Sequence, residues 1–215
     1  MPDPAVGPET RCMRITRAGW AVMTVLSTLI VAVSAKYLSF DPAVFIEQQR
    51  ATYLSHEVPL YIHIFGALTA LLVGPWQFSR RLRNRRPRLH RRIGVTYLIG
   101  CLVGGAGALL MAPVAYGGAV SGTGFACLAV AWLVTGGAGL RAILDGRVVD
   151  HRRWMVRSFA LTFAAVTLRL MLTVAMAAHL DFRTSYTAIA WLCWVPNLLL
   201  ACWFTRRRPA AGAPA

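Results

Sequence analysis

Six apolar runs, each long enough to cross a bilayer, take up most of this sequence. They lie at 19–38, 57–78, 93–114, 122–144, 154–178 and 184–204. A helix rises about 1.5 Å per residue, so some 20 apolar residues cross a hydrocarbon layer of about 30 Å. Inside that layer every backbone N–H and C=O must be satisfied within the protein, which leaves helices or a closed barrel. The runs are continuous blocks without the alternation of a barrel strand. The expected fold is therefore all-α, a polytopic transmembrane bundle of six helices forming one domain over 19–204. Composition agrees: 57% of residues are hydrophobic and 14% charged, where a soluble domain carries about a quarter.

The connections set the expected orientation. Arg80–Arg92 holds eight arginines and no acid, and Asp145–Arg153 ends in Asp-His-Arg-Arg. With the basic N-terminal tail and Arg206, Arg207 and Arg208, they fall on one side. The other side has only Lys36, Arg50 and Arg183. The positive-inside rule puts the basic side, and both termini, in the cytoplasm. The expected location is a bacterial inner membrane, with the bilayer as the main partner and anionic lipid headgroups against the basic loops. A homo- or hetero-oligomer is open. A net charge of +15 suggests nucleic acid, but no soluble face exists to display it, so none is expected. Residues 1–18 and 205–215 read as disordered tails, with Met13 as an alternative start. The first run, between a basic flank and Val-Ser-Ala at 33–35, resembles a signal peptide; its length favours an uncleaved helix. Ser39–His56 is the longest polar connection, and Val44, Phe45, Ala51 and Leu54 suggest a short interfacial helix. Ala115–Ser121 reads as a turn.

A few residues break the apolar pattern. Arg169 stands about 22 Å along the fifth run from Trp154, where a charge is costly unless it faces the interior or water. Ser158, Thr162, Ala165, Thr173 and Met176 share its face, which points it inward. It reads as a binder of a carboxylate, phosphate or haem propionate, or as an arginine bonded to helix carbonyls. His63 lies roughly 9 Å into the second run, at a depth comparable with Arg169, and shares a face with Gly66, Ala70, Gly74 and Gln77. Small residues at that spacing let helices approach closely, as do Gly100, Gly104 and Ala108 on the third run. His63 reads as a cavity residue or as a core histidine bonded to a Ser or Thr. His90 and His151 match each other in depth at the basic boundary, suiting one haem or metal held between them, or two membrane anchors. No histidine matches His63. Gln77, Arg157 and Asn197 complete the ligand-binding candidates, and Pro196 is expected to kink the sixth run with Asn197 satisfying the freed backbone. Trp154 and Trp203 fit one aromatic belt, and Tyr53, Tyr61 and Tyr186 the other. Cys12, Cys101, Cys127, Cys193 and Cys202 lack metal or redox spacing and read as small core residues. No hydrolase or transferase constellation is present, so no catalytic residue is assigned.

His-Arg-Arg at 90–92 and at 151–153 opens the third and fifth runs. This echo suggests that the second and third runs repeat as the fourth and fifth, or that one anchor is used twice.

Several motifs together resemble a bacterial family: His63-x-x-Gly66, Gly74-Pro75-x-Gln77, His90-Arg91-x-x-Gly94-x-x-Tyr97, and His151-Arg152-x-Trp154-Met155-x-Arg157-Ser158 with Arg169 downstream. The chain resembles the predicted membrane proteins called domain of unknown function 2306, over Glu57–Leu180. The resemblance implies a multi-pass membrane protein and no activity. A more distant similarity, in the inward histidines, is to the haem-bearing cytochrome b561 class. Three functions follow. The first is a redox bundle holding haem b or a quinone through His63, His90, His151 and Arg169. The second is a transporter or ligand-binding bundle with a site open to the outer side and lined by His63, Arg169 and Gln77. The third is a structural or assembly subunit of a membrane complex.

Overall fold

The computed structural model describes residues 16–206. Helix α1 is Arg17–Ser34, α2 Glu47–Ser55, α3 Glu57–Val73, α4 Arg80–Arg85 and α5 Pro87–Met111. Then come α6 Ala119–Leu144, α7 Val148–Thr162, α8 Ala164–Ala177, α9 Phe182–Leu192 and α10 Val195–Phe204. No strand occurs among the described residues. Six stretches are long and apolar enough to cross a membrane: Arg17–Ser39, Glu57–Phe78, Pro87–Val114, Ala119–Leu144, Val148–Ala177 and Phe182–Phe204. Residues 1–15, with Cys12 and Met13, and 207–215 lie outside the described residues, while Arg17 and Ala18, read as tail, open α1 behind the Thr16 cap.

The spans run up and down with neighbouring ends tied together. The Trp20 indole N–H donates to the Pro75 carbonyl at 2.9 Å, joining the start of the first span to the end of the second. Arg157 Nε donates to Thr205 Oγ1 at 3.1 Å, joining the fifth to the end of the sixth. These contacts lie at the end of the bundle that carries both arginine-rich connections, here the basic end. At the opposite end Tyr116 packs against Phe182 and Tyr186, with ring centroids 5.3 and 5.8 Å apart.

The basic connections are shorter than expected. Pro87 opens α5 from its first turn, where a missing N–H costs nothing, so the third span begins six residues before Ile93. The fifth begins at Val148 instead of Trp154, and the fourth at Ala119 instead of Gly122. His90 and His151 are thus helical residues.

The second and third spans meet backbone to backbone. A Cβ on Gly66 would collide with the Gly104 main chain, and one on Gly107 would lie 2.5 Å from the His63 nitrogen. Close approach of this kind replaces the hydrophobic force that lipid does not supply. The third, fourth and fifth spans are joined by a buried network. Tyr97 Oη lies 2.9 Å from Ser158 Oγ and 2.8 Å from Thr162 Oγ1, and the Trp132 indole donates to Thr162 Oγ1 at 2.9 Å. The Thr162 hydroxyl proton goes to the Ser158 carbonyl at 3.1 Å. Proton counting then settles the direction: Ser158 donates to Tyr97, and Tyr97 to Thr162.

The fifth and sixth spans are each broken. The fifth is interrupted at Phe163, between α7 and α8. A threonine that bonds back to the carbonyl four residues earlier bends a helix, and Thr162 does so just before the break. The sixth breaks at Cys193–Trp194, before Pro196, as the proline suggested. Of the cysteines, Cys101 and Cys193 are buried, but Cys127 is exposed on the bundle surface and Cys202 partly so. The core reading holds for the first two only.

Gly66→Ala should lower the unfolding temperature in detergent through an overpacking cost of about 1–3 kcal/mol. Gly137→Ala, where a Cβ would meet nothing within 4 Å, should leave it unchanged or slightly raised. Equal behaviour of the two would contradict the close-approach account.

Candidate functional site

The sequence-derived candidates separate into two groups at opposite ends of the bundle. At the end away from the arginine loops stand Arg169 on α8 and His63 on α3. The apolar span around Arg169 leaves its guanidinium few partners. It donates through Nη1 to the Ala165 carbonyl one turn back in its own helix, at 3.2 Å. A guanidinium has five N–H donors. The ion pairs among the described residues all involve Asp145 and Asp150, at the other end. Arg169 therefore has no acidic partner there. Its electrostatic neighbours are Tyr37, Tyr53 and Tyr186, and it also acts on His63.

Three elements bring those tyrosines in. Tyr37 ends the first span, Tyr53 lies on α2, and Tyr186 on α9. The connection between the first two spans does form a short helix, but it does not lie flat against lipid. Phe45, 4% exposed, stacks on Tyr37 at 5.9 Å and meets the Tyr53 edge at 5.3 Å, which plugs α2 onto the bundle. Leu54 faces outward, while Gln49 is 4% exposed. Gln49 and Tyr53 are four apart on one helical face, and the Tyr53 hydroxyl donates to Gln49 Oε1 at 2.7 Å. Tyr186 lies beside both and acts on them electrostatically. Gln49 Nε2 is buried with no partner. Burial, with Tyr186 and Tyr37 alongside, raises the Tyr53 phenol well above its ordinary pKa, so it stays a neutral donor. Tyr53 and Tyr186, the latter 8% exposed, are thus interior groups and not members of a lipid-facing belt.

His63 is bonded to a main-chain carbonyl, not to a Ser or Thr. Its Nδ1 lies 2.8 Å from the Gly104 carbonyl, within the glycine contact of α3 and α5. A carbonyl only accepts, so Nδ1 carries the proton and Nε2 is left as an acceptor. The stripe expected to align with Arg169 is split by the Phe163 break. Ser158 and Thr162 face the Tyr97 network, while Thr173 and Met176 are exposed.

Gln77 does not join His63 and Arg169. Its Nε2 donates to the His90 carbonyl at 3.4 Å, at the basic end. There His90 and His151 act on one another electrostatically, with Arg83 beside them. His151 Nδ1 lies 2.8 Å from the Gly139 carbonyl, and His90 Nδ1 is buried without a partner. Arg157 sits 4.8 Å from the Trp154 ring centroid. Asn197 bridges the two broken spans. Its Nδ2 lies 3.0 Å from the Cys193 carbonyl and from Thr167 Oγ1, and 3.4 Å from the Ala160 carbonyl. No group of three or more His, Cys, Asp or Glu with metal-binding geometry occurs among the described residues.

Sequence reasoning missed Tyr37, Tyr53 and Tyr186 as electrostatic neighbours of Arg169, and Gln49 as the partner of Tyr53. The spacing of Gln49 and Tyr53 was a readable signal; the return of α2 onto the bundle was not.

A family model described as "Predicted membrane protein (DUF2306)" matches residues 60–205. The match reaches past Leu180 to take in the sixth span. No curated protein and no solved structure matches.

Asn197→Leu removes the amide while nearly keeping its volume. It leaves buried acceptors without a donor in two helices, at about 1–3 kcal/mol. The expected readout is a lower detergent unfolding temperature, with faster hydrogen exchange around Ala160 and Cys193. Unchanged exchange at both breaks would remove Asn197 as their bridge.

Proposed function

The chain belongs to the DUF2306 family of predicted membrane proteins, and on that premise we propose that it binds a small ligand at the end of the bundle away from its arginine loops. The ligand class is one that presents an anionic or carbonyl oxygen, as a carboxylate, a phosphate or a quinone does. One observation carries this reading: Arg169 lies within a span with one hydrogen bond to a carbonyl and no acidic partner among the described residues. Charged side chains in spans mark ligand or ion pathways, and a planar guanidinium suits an oxygen pair in particular.

The neighbours supply the rest. Tyr186 is a hydroxyl donor, Tyr53 orients Gln49 by giving its one proton to Oε1, Gln49 has an unused amide N–H, and His63 Nε2 is an acceptor for a ligand hydroxyl. Helix α2 covers the site, so entry requires α2 to lift from the bundle at Phe45 and Tyr53. The basic end faces the cytoplasm by the positive-inside rule, which opens the site to the other side of a bacterial inner membrane.

The test is thermal shift of the detergent-purified protein against carboxylates, organic phosphates and a short-chain quinone. One class should raise the unfolding temperature of the wild type. Arg169→Gln should keep the fold and weaken that binding by about 2 kcal/mol or more, some thirtyfold. Equal shifts in both proteins would overturn the reading.

A redox reading is favoured by a different observation, that His90 and His151 stand at the same end of the bundle and act on one another electrostatically. Two imidazoles on facing helices are the axial set of a low-spin haem. A reduced-minus-oxidised spectrum with sharp α and β bands, lost in His90→Ala and His151→Ala and kept in His63→Ala, would establish it. A flat spectrum in protein from haem-replete cells would dismiss it.

A further inference from the structure

The two arginine-rich connections look alike in sequence and differ in structure. In the second, two acids hold three of the arginines in ion pairs. Asp145 pairs with Arg141 at 3.5 Å and Arg147 at 2.9 Å, and Asp150 with Arg147 and Arg153 at 3.3 Å each. The first contains no acid, and none of these ion pairs reaches it. Its arginines instead surround a depression of about 350 Å³ lined by Trp76, Ser79, Arg81, Leu82, Arg85 and Arg86. Arg81 and Arg85 are four apart on α4 and so share a face. Trp76 is 45% exposed and is held edge-on by Trp20, with ring centroids 5.7 Å apart. Trp20 in turn is tied to the Pro75 carbonyl.

We propose that this depression is a binding site for one anionic phospholipid of the surrounding bilayer. Its place and its chemistry both point to that occupant. It lies where the second span ends, at the depth at which tryptophans mark a headgroup region. Arg81, Arg85 and Arg86 offer fork-shaped donors to phosphate oxygens. Trp76 and Leu82 form an apolar floor for the glycerol and the first acyl carbons. A soluble phosphate would have no use for that floor. In the second connection three arginines are engaged by Asp145 and Asp150, so less free charge is on offer. The site is separate from the ligand site of Arg169 and does not rest on it.

The test uses native mass spectrometry of the full chain released from phosphatidylcholine nanodiscs containing phosphatidylglycerol. The wild type should retain a phosphatidylglycerol adduct. Arg81→Gln/Arg85→Gln/Arg86→Gln should lose it about tenfold, while Arg141→Gln/Arg147→Gln should keep it. The triple variant still has five arginines in that connection to hold its topology. Should it fail to insert, Trp76→Ala removes the ledge without touching the charge and should also reduce the adduct. Retention of the adduct in both the triple and the Trp76 variants would overturn the proposal. Equal loss in the triple and the control variants would show a diffuse surface field, and displacement by millimolar inorganic phosphate a soluble-anion site. Either result would overturn it too.

Discussion

Helices in hydrocarbon have little hydrophobic reason to associate, and this bundle depends on the glycine contact between its second and third spans. At Gly66, Gly104 and Gly107 the two backbones come closer than any side chain allows. That approach puts the His63 ring against the Gly104 carbonyl and so fixes its tautomer. It also fixes the third span, which carries Tyr97 into the network with Trp132, Ser158 and Thr162. One steric fact about glycine thereby reaches both the candidate site and the core of four spans.

The second determinant is the pair of helix breaks. A continuous fifth span would carry Arg169 on the same face as Ser158 and Thr162, about 10 Å further along. The break at Phe163 separates them. Ser158 and Thr162 close the core, and Arg169 is directed to the tyrosines of the first span, α2 and α9. Asn197 ties the two breaks together, reaching the Ala160 carbonyl before the first, Thr167 Oγ1 after it and the Cys193 carbonyl at the second.

Much of the fold was legible because bilayer thickness leaves few choices. All six spans follow from apolar length, and the paired arginine loops follow from charge. The boundaries were less so, since Pro87 and Val148 extend helices into charged sequence that reads as loop. The site was half legible. Arg169 and His63 stood out as polar groups at matching depth. Tyr53 and Tyr186 did not, because a tyrosine near a span end looks the same whether it faces lipid or a neighbouring helix. Gln77 was grouped with His63 by shared helical face, although 14 residues separate them by about 21 Å along the helix; its amide meets the His90 carbonyl at the basic end of the bundle. The two arginine loops were indistinguishable until Asp145 and Asp150 were seen to fold back on their own arginines.

The most direct measurement of the central claim is an experimental map of the protein in nanodiscs, resolved well enough to show the surroundings of Arg169. The account predicts non-protein density with an oxygen about 2.7–3.2 Å from the guanidinium, flanked by Tyr53, Tyr186 and His63. A guanidinium fully engaged by helix carbonyls and water, with α2 closed over it and nothing bound, would contradict it.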